Sequence, residues 1–106
     1  MSLDVHLIED GGQVYWANIT HNLNTMADKA GIYKHLWRPD EIGVTKASEL
    51  IDTLRAGLAK LVEAPTHFKQ YDAENGWGRY ADLVAFTSEY LEACIAHPDA
   101  SVDVSR

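Results

Sequence analysis

The chain opens with two short segments in which apolar and polar side chains alternate. Residues 3–8 and 14–19 flank the turn-forming sequence Asp10-Gly11-Gly12, so the pattern predicts a β-hairpin. The turn can centre on Asp10-Gly11 or on Gly11-Gly12. Both choices place the same side chains on the more apolar face of the hairpin, and we predict that this face is buried. That face carries Leu3, Val5, Leu7, Val14, Trp16 and Asn18.

Apolar residues at helical spacing predict helices after the hairpin. A short helix begins after Thr20 and ends at Gly31, and a further helical turn follows over 32–37. The clearest helix begins at Thr45 and ends before Pro65. Its apolar stripe consists of Ala47, Leu50, Ile51, Leu54, Leu58, Leu61 and Val62.

The residue pattern in the last third of the chain predicts an irregular segment, a long helix and a strand. Turn formers fill 66–78, and a helix follows over 79–96, with Phe86 and Tyr90 on the side opposite its main apolar face. Residues 101–104 alternate again, and a third strand removes the marginal stability of an isolated hairpin. The main apolar face of the helix carries Tyr80, Leu83, Val84, Leu91, Cys94 and Ile95.

These elements predict one α+β domain over residues 1–106. Its N-terminal β-hairpin and C-terminal strand form a three-stranded antiparallel sheet, which packs against three to four helices. With 106 residues, of which 46% are hydrophobic and 24% charged, the chain is long enough to bury one core.

The charge balance narrows the classes of partner. The chain has 16 acidic and 9 basic residues, a net charge of −7, and its basic residues are scattered. Phosphate backbones and anionic membranes need a concentrated basic face, so we expect neither nucleic acid nor membrane as a partner. The single cysteine, Cys94, has no partner for an internal disulfide, and no signal-peptide pattern opens the chain. We therefore expect a cytoplasmic location.

Three segments carry more polar and aromatic groups than folding requires, namely 18–22, 33–38 and 75–80. Two of them span helix starts, where free backbone N–H groups favour an anionic or carbonyl ligand. Tryptophans supply flat apolar walls and arginines supply forked donors, which suits a small polar, planar ligand resembling a nucleotide or a sugar. The candidate ligand-binding residues are Asn18, His21, Asn22, Trp37, Arg38, Asn75, Trp77 and Arg79.

Each of these residues taken alone is better explained by a structural role, so the hypothesis rests on the set. We expect no metal and no cofactor, because the five histidines show no pair at i, i+4 and the cysteine has no Cys-x-x-Cys partner. Cys94 and His97 are three residues apart, but Cys94 lies on an apolar stripe and is interpreted as a buried hydrophobe.

Three functions remain open from the sequence. The leading hypothesis is non-enzymatic binding of a small polar or planar molecule, or of a peptide, in a cleft formed by these residues. The alternative is a protein–protein interaction module, or a homodimer joined through the sheet edge or through Phe86 and Tyr90. The third is a small enzyme with His21 as general base, which needs a carboxylate or a substrate proton within hydrogen-bond reach.

Three strings of sequence carry a family resemblance: 15–23, reading Tyr-Trp-Ala-Asn-Ile-Thr-His-Asn-Leu, together with 31–39 and the Asn75-Gly76-Trp77-Gly78 segment. They resemble a family of small uncharacterised proteins from bacteria and phages. The resemblance covers nearly the whole chain and implies a cytoplasmic or phage context. It implies no activity, cofactor or site residue.

Overall fold

The sheet has the predicted three antiparallel strands, with the first strand in the middle. The computed structural model describes all residues, 1–106. Strand β1 (Ser2–Glu9) pairs on one side with β2 (Gly12–Thr20) and on the other with β3 (Ser101–Ser105). The α+β fold class and the place of the C-terminal strand in the sheet are confirmed. Both β2 and β3 are edge strands.

Five α-helices and three short 3-10 helices make up the rest of the chain. One α-helix begins at Pro65, since proline is well suited to the first turn of a helix, and extends into the stretch 66–78 that was predicted to be irregular. The α-helices are α1 (Asn24–Lys29), α2 (Tyr33–Trp37), α3 (Ile51–Glu63), α4 (Pro65–Lys69) and α5 (Tyr80–Ala96). The 3-10 helices span His21–Leu23, Pro39–Ile42 and Ala47–Leu50.

The hairpin contains a β-bulge that the alternating pattern did not predict. Its turn has Asp10 and Gly11 at the centre, both with positive φ, as a type I′ turn requires. Beyond the turn, Ile8 pairs with Gln13 but Leu7 pairs with Tyr15, so β2 contains one extra residue. From that point onward each β2 side chain lies on the opposite face of the sheet from the one predicted.

The predicted inward face of β2 is therefore wrong. Trp16 is 53% exposed, Val14 is 38% exposed and Asn18 is also exposed. The prediction for β1 is confirmed, since Leu3, Val5 and Leu7 are fully buried. The face that packs against the helices carries Leu3, Val5, Leu7, Tyr15, Ala17 and Ile19.

The core consists of 23 buried hydrophobic residues from the sheet and from the helices that cover it. Of the apolar stripe predicted between Thr45 and Pro65, Ala47, Leu50, Leu54 and Leu61 are fully buried. The predicted ends of two stripes are wrong, because Val62 is 59% exposed and Ile95 is 49% exposed. Helix α5 buries Leu83, Leu91 and Cys94 of its predicted apolar face. Its buried surface also extends to the opposite side, where Phe86, Thr87 and Tyr90 are buried.

Tyr90 is buried with no hydrogen-bond partner for its hydroxyl group. Its ring is fully buried and stacks on Tyr15 with 5.8 Å between ring centroids. A buried hydroxyl without a partner loses its bonds to water and gains none in return. We expect Tyr90→Phe to raise the free energy of unfolding by about 1 kcal/mol, measured by urea denaturation.

Tyr80→Phe is the matched control, because the Tyr80 hydroxyl donates a hydrogen bond to the carbonyl oxygen of Leu61. This variant should be less stable than the native chain, by a similar amount and in the opposite direction. Equal losses of stability in the two variants would contradict the interpretation of Tyr90.

Candidate functional site

A cleft lies where β1 begins and β2 ends, against the loop that precedes α5. Its volume is about 680 Å³, which falls within the range of small-molecule sites. The wall on one side comes from the two strand ends and the first 3-10 helix, and the wall on the other side comes from the loop. The lining residues are Met1, Ser2, Asn18, Thr20, His21, Asn22, Asn75 and Trp77.

The strand side of the cleft forms where the chain leaves β2. The backbone N–H of His21 donates to the carbonyl oxygen of Met1 at 3.3 Å and continues the ladder beyond the assigned strand ends. The Thr20 hydroxyl accepts the N–H of Asn22 at 3.3 Å and caps the 3-10 helix. This cap turns the chain away from the sheet and leaves the Asn22 side chain free to reach across the cleft.

The loop side of the cleft is held by asparagine side chains. The Asn75 Oδ1 accepts the backbone N–H of Trp77 at 2.9 Å, which forms a local Asx turn. The Asn22 Nδ2 donates to the carbonyl oxygen of Trp77 at 2.8 Å and ties the loop to the opposite wall. The Trp77 side chain is 73% exposed, so its indole is available to stack on a ligand.

His21 is oriented by a residue behind the cleft. The buried indole of Trp37 donates its Nε1–H to the Nδ1 of His21 at 2.8 Å. Because an indole N–H can only donate, Nδ1 is the acceptor, and the neutral ring carries its hydrogen on Nε2. The imidazole therefore presents a fixed N–H donor rather than a second acceptor.

The amide side chains in the cleft keep part of their hydrogen-bonding capacity free. The Nδ2 of Asn18 donates to Ser2 at 2.8 Å and to Asp4 at 2.6 Å, while its Oδ1 has no partner within the chain. Asn22 likewise keeps its Oδ1 free, and Asn75 keeps its Nδ2 free. The cleft thus offers separate donors and acceptors around an exposed aromatic ring.

Five of the eight sequence-predicted residues lie together in this cleft: Asn18, His21, Asn22, Asn75 and Trp77. The other three do not line it. Trp37 lies behind His21, and the exposed Arg79 forms the N-cap position of α5.

The guanidinium group of Arg38 is already engaged elsewhere. Its NH1 pairs with Glu41 at 2.6 Å and its Nε donates to the Tyr33 hydroxyl at 3.1 Å. No side chain of Asp, Glu, Lys or Arg lines the cleft. The expected arginine donor for a negatively charged ligand is therefore absent from it.

Three lining residues were not among the predicted ones: Met1, Ser2 and Thr20. Strand pairing was the signal for Ser2, since it lies directly opposite Thr20 in the ladder. With the bulge unrecognised, that pairing was not visible in the sequence.

The remaining candidate chemistry has structural explanations. Cys94 is fully buried, and burial raises the pKa of its thiol to about 12, so it stays protonated at neutral pH. No Asp or Glu side chain makes a hydrogen bond to His21, and no group of three or more His, Cys, Asp or Glu side chains is placed to hold a metal ion. None of the helices is both long enough and apolar enough to cross a membrane.

Comparison with known proteins finds no family model, no curated protein and no solved structure that the chain matches. The resemblance of the three sequence strings to the family of bacterial and phage proteins stays a prediction.

Proposed function

We propose that the chain binds a small, electrically neutral, polar molecule in the cleft between the strand ends and the Trp77 loop. The observation that supports this most is the convergence of polar side chains from two distant segments, 18–22 and 75–77, around one exposed indole. Fixed donors and acceptors beside a flat apolar wall suit a ring that carries hydroxyl or amide groups, such as a saccharide or a nucleoside.

The side chains that line the cleft favour a neutral ligand, because none of them belongs to Asp, Glu, Lys or Arg. An anionic ligand would find no cationic side chain in the lining and would approach a chain of net charge −7. A cationic ligand would find no carboxylate in the lining. We expect binding to depend on hydrogen bonds and stacking, with little change between low and high salt.

A thermal-shift screen tests the proposal with neutral saccharides and nucleosides, each paired with its phosphorylated form. The neutral member of a pair should raise the melting temperature and the phosphorylated member should not. Trp77→Ala should weaken the affinity for any hit by about tenfold, because base or ring stacking on an indole is worth about 1–3 kcal/mol.

Trp16→Ala is the matched control, since Trp16 is also an exposed indole but does not line the cleft. This variant should bind each hit as the native chain does. Hits that prefer the phosphorylated ligands, or that survive Trp77→Ala unchanged, would refute the proposed site.

We place this binding function in the cytoplasm, in a bacterium or a phage-infected cell, following the sequence resemblance. An interaction role through the protein surface is a second candidate, favoured by the unpaired edge of β2. Of the two contact surfaces expected from the sequence, the sheet edge is therefore favoured over Phe86 and Tyr90, because both of these side chains are buried.

A further inference from the structure

The outer edge of β2 is unpaired. β2 forms hydrogen bonds only with β1, and the N–H of His21 that bonds to Met1 sets the alternation of the ladder. In an antiparallel ladder, every second residue points its backbone N–H and C=O toward the neighbouring strand. The backbone groups of Trp16, Asn18 and Thr20 therefore point away from β1, toward the free edge.

The opposite edge of the sheet is covered. The N–H of Val102 in β3 donates to the carbonyl oxygen of Thr45 at 2.9 Å, and Lys46 forms a bridge with Ser101. The side chain of Arg106 crosses to the Pro39–Ile42 helix and pairs with Asp40 at 2.8 Å. The chain thus protects one edge and leaves the other open.

β2 lacks the features that normally keep edge strands apart. Its nine residues include no proline and no charged side chain. Natural edge strands are usually short, charged, interrupted by proline, or covered. The bulge protects only the part of β2 near the hairpin turn, which leaves the segment 15–20 suitable for pairing.

A groove of about 530 Å³ follows this free edge, between β2 and helix α5. An added strand at this edge would bond to β2 through its backbone, and its alternate side chains would point toward the groove. The residues that line the groove are Tyr15, Trp16, Ala17, Asn18, Ile19, Thr20, Asp82, Ala85, Phe86 and Glu89.

The acidic side chains that line the groove favour a basic occupant. Asp82 and Glu89 stand on the α5 wall seven residues apart, about 10.5 Å along the helix at 1.5 Å per residue. Neither forms an ion pair within the chain, and no Lys or Arg lines the groove. A second copy of this chain would bring another acidic wall and another charge of −7, so self-pairing is disfavoured.

We propose that the free edge of β2 binds an extended, basic peptide segment of another protein, which adds to the sheet as a fourth strand. Its backbone bonds to the outward groups of Trp16 and Asn18, and its Lys or Arg side chains at alternate positions reach Asp82 and Glu89. This site differs from the cleft, although Asn18 and Thr20 border both.

The first test uses a capped ten-residue peptide in which lysine alternates with valine and threonine, together with the same peptide carrying glutamate in place of lysine. Only the lysine peptide should bind in isothermal titration calorimetry. In NMR spectra of the ¹⁵N-labelled protein, the amide signals of Trp16 and Asn18 should shift most. Glu89→Gln should weaken the affinity about fivefold, and added salt should weaken it further.

The second test distinguishes strand addition from simple charge attraction. Peptides are N-methylated at one of the two sets of alternate residues, so that one set loses the N–H groups that face β2. Methylation of one set should weaken binding at least about tenfold, and methylation of the other set should leave it unchanged. This test needs no variant of the protein.

Two substitutions of Trp16 test strand pairing at the β2 edge by changing the protein instead of the peptide. Trp16→Pro removes an outward N–H and should abolish binding, while Trp16→Thr keeps that N–H and should retain it. The proposal is overturned by binding of the glutamate peptide, by equal effects of the two methylated sets, or by dimerisation of the chain through this edge in sedimentation equilibrium.

Discussion

Gly78→Ala is expected to lower the free energy of unfolding by about 3 kcal/mol, from strain and crowding that are each worth about 1–3 kcal/mol. Gly78 has φ of 129°, a conformation that is almost restricted to glycine. An added Cβ would lie 3.0 Å from the Cγ2 of Thr20 and 3.2 Å from the Cγ of Leu23. The loop would have to move away from the first 3-10 helix, and the cleft would lose its Trp77 wall.

The variant Gly76→Ala separates the effect of backbone strain from the effect of crowding. Gly76 also has positive φ, but its added Cβ would meet only the end of the Arg79 side chain, at 3.7 Å. Urea denaturation should show a loss of about 1 kcal/mol for Gly76→Ala, from strain alone. Binding of any cleft ligand should weaken about tenfold or more in Gly78→Ala, as judged from the stacking energy of one aromatic ring. Equal stability of the two alanine variants would show that the loop does not depend on close packing at Gly78.

Gly57→Ala is expected to lower the free energy of unfolding by about 2 kcal/mol, although glycine to alanine normally stabilises a helix by about 1 kcal/mol. Gly57 is a buried residue of helix α3, and an added Cβ would overlap the Cγ2 methyl group of Ile32. Ile32 is fully buried and β-branched, so its side chain has little freedom to turn aside. The steric term therefore exceeds the gain in helix propensity.

A double-mutant cycle with Ile32→Ala tests this explanation. Ile32→Ala removes the methyl group that blocks the site, at the usual cost of a large-to-small change in the core. In that background Gly57→Ala should stabilise the protein, so the sign of its effect reverses. A stabilising effect of Gly57→Ala in the native chain would contradict the close approach of α3 to Ile32.

The packing face of helix α3 was predicted well because its apolar spacing had one interpretation. Leu54 and Leu61 repeat at seven residues on α3 and are both fully buried. The inward side of helix α5 was harder to predict, because apolar residues occur all around the helix and no single stripe indicates which side packs inward. The inward orientation of Phe86 and Tyr90 depends on the position of β2, which no local pattern encodes.

The sequence predicted only part of the candidate site, again because no local pattern encodes contacts between distant segments. Segments rich in Asn, His and Trp indicated where polar groups exceed the needs of folding, and two of the three segments meet at the cleft. The arginine role was not supported, because Arg38 has Glu41 three residues away and pairs with it. Which segments meet is a tertiary property, and a single sequence holds no direct signal for it.

The extra residue in β2 also constrains how the length of the hairpin can change. With the turn held fixed, loss or gain of one residue between Gln13 and Tyr15 reverses the facing of every later residue in the strand. Trp16 would then take the inward position of Tyr15 after a loss, or of Ala17 after a gain, among the core side chains. Length changes of two residues keep the facing intact, so natural variation in this arm should occur in even steps.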